Sequence, residues 1–229
     1  PAEKDCALLL YKKGKKEAEI EIPMEHSTRY GDLRSVEIEN LPIEKYEYNY
    51  RIAGAIVTDP YARRIAGRET WGQASAGEGV LRGCIISDDF DWEGDEPLQI
   101  PYTDVIAYAT HVRGFTRHST SGVRAKGTFA GVQEKIPYLK ELGVNQLLLM
   151  PVYDFDERIL PEKEKNIPYQ KEGQEPKLNY WGYGKARYFA PKSTYSVKDP
   201  VKEFKDLVKK FHAEGIEVLM EIFFPEGTE

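Results

Sequence analysis

Cysteine is nearly absent: Cys6 and Cys84 are the only two in 229 residues. They stand far apart and outside any metal-ligand spacing, which argues against a cysteine-held metal centre. Both fall in apolar, strand-like runs, so buried free thiols are expected, in keeping with a reducing, cytoplasmic location. Long apolar runs are absent too. Nothing approaches the roughly 20 residues of a membrane span, and no secretory leader is visible at Pro1. A basic face is also missing. Lys and Arg total 32 against 38 Asp and Glu, for a net charge of −6. This argues against a nucleic-acid partner. The densest basic run, Lys12-Lys13-Gly14-Lys15-Lys16, lies between two apolar stretches and reads as a solvated hairpin turn.

Hydrophobic residues make up 41% of the chain, sufficient for a packed core, and 15 tyrosines help bring the aromatic content to 12%. The first part alternates. Cys6-Ala7-Leu8-Leu9-Leu10-Tyr11 is a short apolar run. Glu17-Ala18-Glu19-Ile20-Glu21-Ile22, Ser35-Val36-Glu37-Ile38-Glu39 and Tyr46-Glu47-Tyr48-Asn49-Tyr50-Arg51-Ile52 step between polar and apolar residues as half-buried strands do. Short strands at this spacing predict a small β-sandwich over residues 1–67. Residues 68–102 read as a linker. Its acidic stretch, residues 87–97, fails as a calcium loop because Phe90 and Trp92 occupy positions where oxygen ligands are needed. No metal or other cofactor is expected.

From residue 103 the pattern changes. Residues 104–109 are strand-like. Thr128 is a helix cap, and Phe129, Val132, Ile136, Leu139 and Leu142 fall at steps of three and four, predicting one helix over 128–142 that Gly143 ends. Residues 144–150 form a nearly continuous apolar strand, the kind buried in parallel sheets. The unit recurs: Asp199 caps, Pro200 takes the first helical position, Val201, Phe204, Val208 and Phe211 make the stripe, Gly215 stops it, and residues 216–224 are the next strand. Helix, glycine, apolar strand, twice over, is β/α architecture. Between the second strand and Asp199 lie about 45 residues, far more than the usual β/α loop. Long insertions after strand C-termini are where barrel enzymes build their sites. Three such strands are fewer than a closed (β/α)8 barrel takes, so residues 103–229 are expected to be the N-terminal portion of one.

Several of these stretches resemble the glycogen-debranching, isoamylase and type I pullulanase group of the α-amylase superfamily, glycoside hydrolase family 13. Tyr50-Arg51 through Val57-Thr58-Asp59-Pro60-Tyr61-Ala62 resembles the exit of that group's immunoglobulin-like, starch-binding-like β-sandwich. His111-Val112-Arg113-Gly114-Phe115-Thr116 resembles the end of its first barrel strand, and Gly127-Thr128-Phe129-Ala130-Gly131 the start of its first helix. Gly143-Val144 through Met150-Pro151-Val152 resembles its second strand. Asn179-Tyr180-Trp181-Gly182-Tyr183 resembles its substrate-site loop. The five follow one another in family order.

The resemblance implies hydrolysis of α-1,6 branch links in glycogen, starch or pullulan, by a retaining mechanism whose two carboxyl groups sit about 5 to 5.5 Å apart. In the family these carboxylates follow the fourth and fifth barrel strands, so no catalytic residue is expected in this chain. Asp154, Asp156 and Glu157, after the second strand, read instead as a solvated loop that caps or hydrogen-bonds locally. The resemblance assigns Tyr183 to stacking on the sugar beside the scissile bond, with Trp181 as a second substrate-binding aromatic. His111 reads as a core or strand-end histidine. The chain departs from the family at its third strand, which normally ends Asp-x-x-x-Asn-His. Glu221, Pro225 and Glu226 stand at those positions, so Glu226 replaces a sugar-bonding histidine with an anion. The alternative is a catalytically degenerate homologue that binds α-glucan or serves as a scaffold.

Overall fold

The alternating segments of the first part pair as an antiparallel sheet. In the computed structural model, which describes residues 5–24, 28–30, 33–73, 80–158 and 178–224, β1 (Cys6–Lys12) turns through a left-handed Gly14 into β2 (Ile20–Pro23). The predicted basic turn thus joins two paired strands. β3 (Thr28–Tyr30) and β4 (Leu33–Ser35) form a separate two-stranded ladder. β5 (Tyr46–Ile52) pairs with β1 in register, Leu8 opposite Tyr50 and Leu10 opposite Tyr48. β6 (Ala55–Val57) and β7 (Gly83–Cys84) both pair with β5. Residues 36–39, expected as a strand, are not one: only Ser35 of that run lies in β4. Val36 is 37% exposed, and alternation without a buried face does not hold a strand. The expected sandwich corresponds, among the described residues, to one five-stranded sheet and the short ladder.

The chain divides into two compact units, Pro1–Arg68 with Ala74–Asp88, and Glu69–Gln73 with Asp89–Glu229. The segment read as a linker contributes to both. β7 joins the first sheet. In the second unit Phe90 and Trp92 meet edge to face at 4.9 Å, and Lys202, Lys205 and Lys209 lie over the Phe90 ring.

The second unit holds a parallel sheet in the order β12-β9-β8: β8 (Ala107–Thr110), β9 (Gln146–Leu149) and β12 (Glu217–Met220). Both pairings are parallel, as the β/α reading requires. β8 leads into α1 (Val112–Arg117). The single helix expected over 128–142 is two: α2 (Phe129–Gln133) and α3 (Ile136–Glu141). Pro137 is the cause. It has no N–H for the Gln133 carbonyl and its ring would crowd that group, so the chain breaks at Lys135 and restarts with Pro137 in the first turn. The cap holds as read, with Thr128 Oγ1 accepting from Gly131 N at 3.1 Å. The expected face also survives the break: Phe129, Val132, Ile136 and Leu139 are buried, while Leu142 is 48% exposed.

α4 (Pro200–Ala213) begins where Asp199 Oδ1 accepts from the Val201 and Lys202 amides, both at 3.0 Å. Its buried stripe centres on Leu207 and Phe211, with Phe204 and Val208 at the flanks. Gly143 and Gly215 take left-handed φ values of 74° and 76°, ending α3 and α4 ahead of their strands.

Between β9 and α4 lies an element that periodicity did not reveal. β10 (Tyr153–Phe155) and β11 (Ala186–Pro191) form an antiparallel pair. All three β10 residues are buried, so the strand shows no alternation.

A candidate glucan-binding site at the strand C-termini

In a parallel β/α sheet, the C-terminal strand ends and the loops that follow are the places for ligands. Here those ends deliver His111 after β8, the Met150–Pro151 junction after β9 and Glu221 after β12. The loop 178–184 brings Tyr180, Trp181 and Tyr183 to them.

His111 organises the inner edge. It is 6% exposed and caps α1, with Nδ1 accepting from Gly114 N at 2.9 Å. Nδ1 therefore carries no proton, and Nε2–H faces the Tyr180 carbonyl at 2.8 Å, with the Tyr195 hydroxyl 3.0 Å from the same nitrogen. Burial pushes its pKa below the usual histidine value, the Tyr180 carbonyl opposes that shift, and Arg113 reinforces it. The Tyr180 ring stacks on the imidazole at 4.3 Å, and Trp181 meets it edge-on at 5.6 Å. Trp71 stacks on Tyr195 at 6.0 Å and crosses Tyr180 at 5.9 Å. His111 is thus the strand-end histidine expected, and also the anchor of the aromatic loop.

Tyr183 and Trp181 stand outward from this floor, 39% and 51% exposed. The Tyr183 hydroxyl donates to Glu221 Oε1 at 2.9 Å, and its ring meets Phe223 edge to face at 5.5 Å. Burial and then the Glu221 carboxylate raise the phenol's pKa, so it stays protonated and donating. Tyr183 is therefore a part-exposed ring held through its hydroxyl, and Trp181 is a second exposed aromatic two residues before it. Such surfaces suit the C–H face of a sugar, which gains apolar contact while its hydroxyls keep their partners.

Gly182, between them, has φ 84°, and a Cβ there would lie 2.6 Å from the Phe155 ring. Asn179 Oδ1 closes the turn by accepting from Gly182 N at 3.0 Å. Pro225 and Glu226 lie outside the described residues, so the third-strand motif is visible here only at Glu221.

The acidic group after β9 is not the solvated loop expected. Asp154 and Glu157 are 1% and 5% exposed, and they converge on Lys192, 1% exposed, at 3.6 and 2.9 Å. A buried cation drew them in, and a lysine in a polar stretch carries no sequence signal of burial. Asp156 does behave as read, its Oδ1 accepting locally from Arg158 N at 3.0 Å. Trp71 and Tyr195 also went unrecognised, because isolated aromatics in loops have no period. Among the described residues, no group of three or more His, Cys, Asp or Glu side chains is placed to hold a metal ion.

Residues 102–225 match the family described as Alpha amylase, catalytic domain. Isoamylase 1, chloroplastic, of Arabidopsis thaliana is 36% identical over 195 residues, covering 80% of this chain and 24% of that protein. The Glycogen operon protein GlgX homolog of Haemophilus influenzae is 32% identical over 206 residues, covering 80% of this chain and 29% of its own length. The chain therefore spans about a quarter of the length of the curated relatives it matches. Among solved structures, a pullulanase from Paenibacillus barengoltzii, in complex with maltohexaose and α-cyclodextrin, superposes with a TM-score of 0.70 at 25% identity, covering 97% of this chain and 35% of that one. With three parallel strands in β/α order, and an aromatic loop at their C-terminal ends, the chain belongs to the α-amylase catalytic-domain family, alongside isoamylases, GlgX and pullulanases.

Proposed function

We propose that this chain supplies the glucan-holding front of a glycoside hydrolase that cleaves α-1,6 branch links in glycogen or starch. The observation that carries the reading is the Tyr183 ring, part-exposed and tied through its hydroxyl to Glu221, with the exposed Trp181 two residues before it. The names of the relatives, isoamylases and glycogen debranching enzymes, support the substrate class. The catalytic carboxylates belong, on this reading, to later strands than the three described. The N-terminal sheet would be one face of a starch-binding-like sandwich, as the resemblance of residues 50–62 suggests. The Cys6 thiol is buried as expected and the Cys84 thiol only half-buried; neither is in a disulfide, which agrees with a cytoplasmic location, although the Arabidopsis relative is by name chloroplastic. No helix among the described residues is long and apolar enough to cross a membrane.

Native electrophoresis in gels cast with glycogen tests this reading. The chain should migrate more slowly as glycogen is added and release no reducing sugar from pullulan. Unchanged migration would remove glucan binding, and reducing-sugar release would overturn the placement of the carboxylates.

A second reading, a non-cleaving glucan-binding homologue, is favoured by Pro225 and Glu226 at the family's Asn and His positions. The whole protein separates the two: restoring the pair as Pro225→Asn with Glu226→His raises the rate on branched glucan in a degenerate enzyme and lowers it where Glu226 is used.

A further inference from the structure

We propose that the buried Lys192–Glu157 pair is the positioning element of the loop that presents Trp181 and Tyr183. The proposal rests on the glucan-site reading for its functional meaning and on geometry for its substance. Lys192 is almost fully buried at the end of the β10–β11 pair, where Lys192 N donates to Val152 O at 2.6 Å. Its ammonium donates to the Phe155 carbonyl at 2.8 Å, pairs with Glu157 Oε1 at 2.9 Å, and lies 4.5 Å from the centre of the Phe155 ring.

Glu157 passes this anchorage on in two directions. Its Oε1 also accepts from Thr194 Oγ1 at 2.9 Å, and its Oε2 accepts from Gly72 N, fixing the segment that carries Trp71 under Tyr180. Its backbone carbonyl accepts from Asn179 N at 2.6 Å, and Arg158 bridges Leu178 next door. Asn179 in turn closes the turn at Gly182, which rests against the same Phe155 ring. Each step from Lys192 to the residues flanking Trp181 is therefore a direct contact.

A buried ion pair is a poor way to add stability, because desolvation offsets most of the attraction, and an apolar side chain of like volume would pack as well. What the pair adds is direction. Charged donors and acceptors tolerate few arrangements, and here the permitted one sets the height of the 179–182 turn above the strand ends.

The test compares the chain with Lys192→Met and with the triple variant Lys192→Met, Glu157→Gln, Asp154→Asn. Lys192→Met takes this cation from two buried carboxylates, Glu157 and Asp154, whereas the triple variant removes their charges with it. At position 157 the amide oxygen can still accept from Gly72 N and the amide nitrogen can donate to Thr194. Amide exchange should quicken about tenfold or more at Asn179 and Gly182 in both variants, with Leu147 and Leu149 unmoved, because a neutral replacement keeps the packing but not the direction the charges impose. If Lys192→Met does not fold, the triple variant alone carries the test. Parent-like exchange at Asn179 and Gly182 in a folded triple variant overturns the proposal. So does equal acceleration at all four amides.

Maltohexaose affinity of the same proteins separates the two readings. A turn that loosens in the variants of a chain that never binds maltohexaose leaves the positioning role standing and removes the glucan reading.

Discussion

The Tyr183 hydroxyl and the Glu221 carboxylate meet at 2.9 Å, joining the aromatic loop to the end of β12. Glu221 stands where the family has aspartate, and its extra methylene does not prevent it from holding the loop. Removing the bond should free the ring. Glu221→Ala and Tyr183→Phe each should weaken maltohexaose binding by about fivefold, corresponding to about 1 kcal/mol for one hydrogen bond. The double variant should be little worse than either alone, and additive losses in calorimetric titrations would show that the two side chains act separately.

The same pair predicts a titration. Burial and Glu221 both favour the neutral phenol, so Tyr183 should ionise above the ordinary value of 10.0. Glu221→Gln removes the anion and should move the transition down. Ultraviolet absorbance, differenced against Tyr183→Phe, reads it, and an unmoved transition would count against the contact.

His111 sets a pH dependence of stability. Its folded pKa lies below the unfolded value of 6.5, so the unfolded chain takes up the proton first as pH falls. The stability contributed by the neutral ring is complete above that value. It is lost as pH falls from there toward the depressed folded pKa. Urea melts at about pH 7 and about pH 5 should show a drop that is smaller in His111→Gln, once other groups are taken as common to both.

Much of the β/α framework is legible in the residues because its signals are local. Thr128 and Asp199 each precede an apolar stripe and cap it, and Gly143 and Gly215 each stand at a stop. Pro137 was equally visible, yet the apolar spacing runs through it, and so two helices read as one. The β10–β11 pair was hidden because Tyr153, Asp154 and Phe155 are all buried and offer no alternation. At the candidate site, Tyr183 and Trp181 could be singled out only through their resemblance to a family motif. Lys192, Trp71 and Tyr195 were not, since their importance lies in contacts between residues far apart in sequence.

Gly182 should tolerate no side chain. Its φ of 84° disfavours other residues, and a Cβ would sit 2.6 Å from Phe155 and 2.8 Å from Pro151. Gly182→Ala should destabilise the chain by about 1 to 3 kcal/mol and displace Tyr183. A thermal melt that matches the parent would show that the turn can be rebuilt.

β12 is an edge of the parallel sheet among the described residues, while β9 is paired on both sides. Amides of residues 217–220 should therefore exchange faster than those of 146–149. Equal protection in a monomer would mean that the β12 edge is covered.

The central claim, that Tyr183 is a sugar platform held in place, is tested most directly by titrating the chain and its Tyr183→Ala variant with maltohexaose by isothermal calorimetry. Saturable binding that weakens about tenfold or more in the variant, with the thermal midpoint nearly unchanged, is the predicted result. Equal affinity in the two proteins would contradict it.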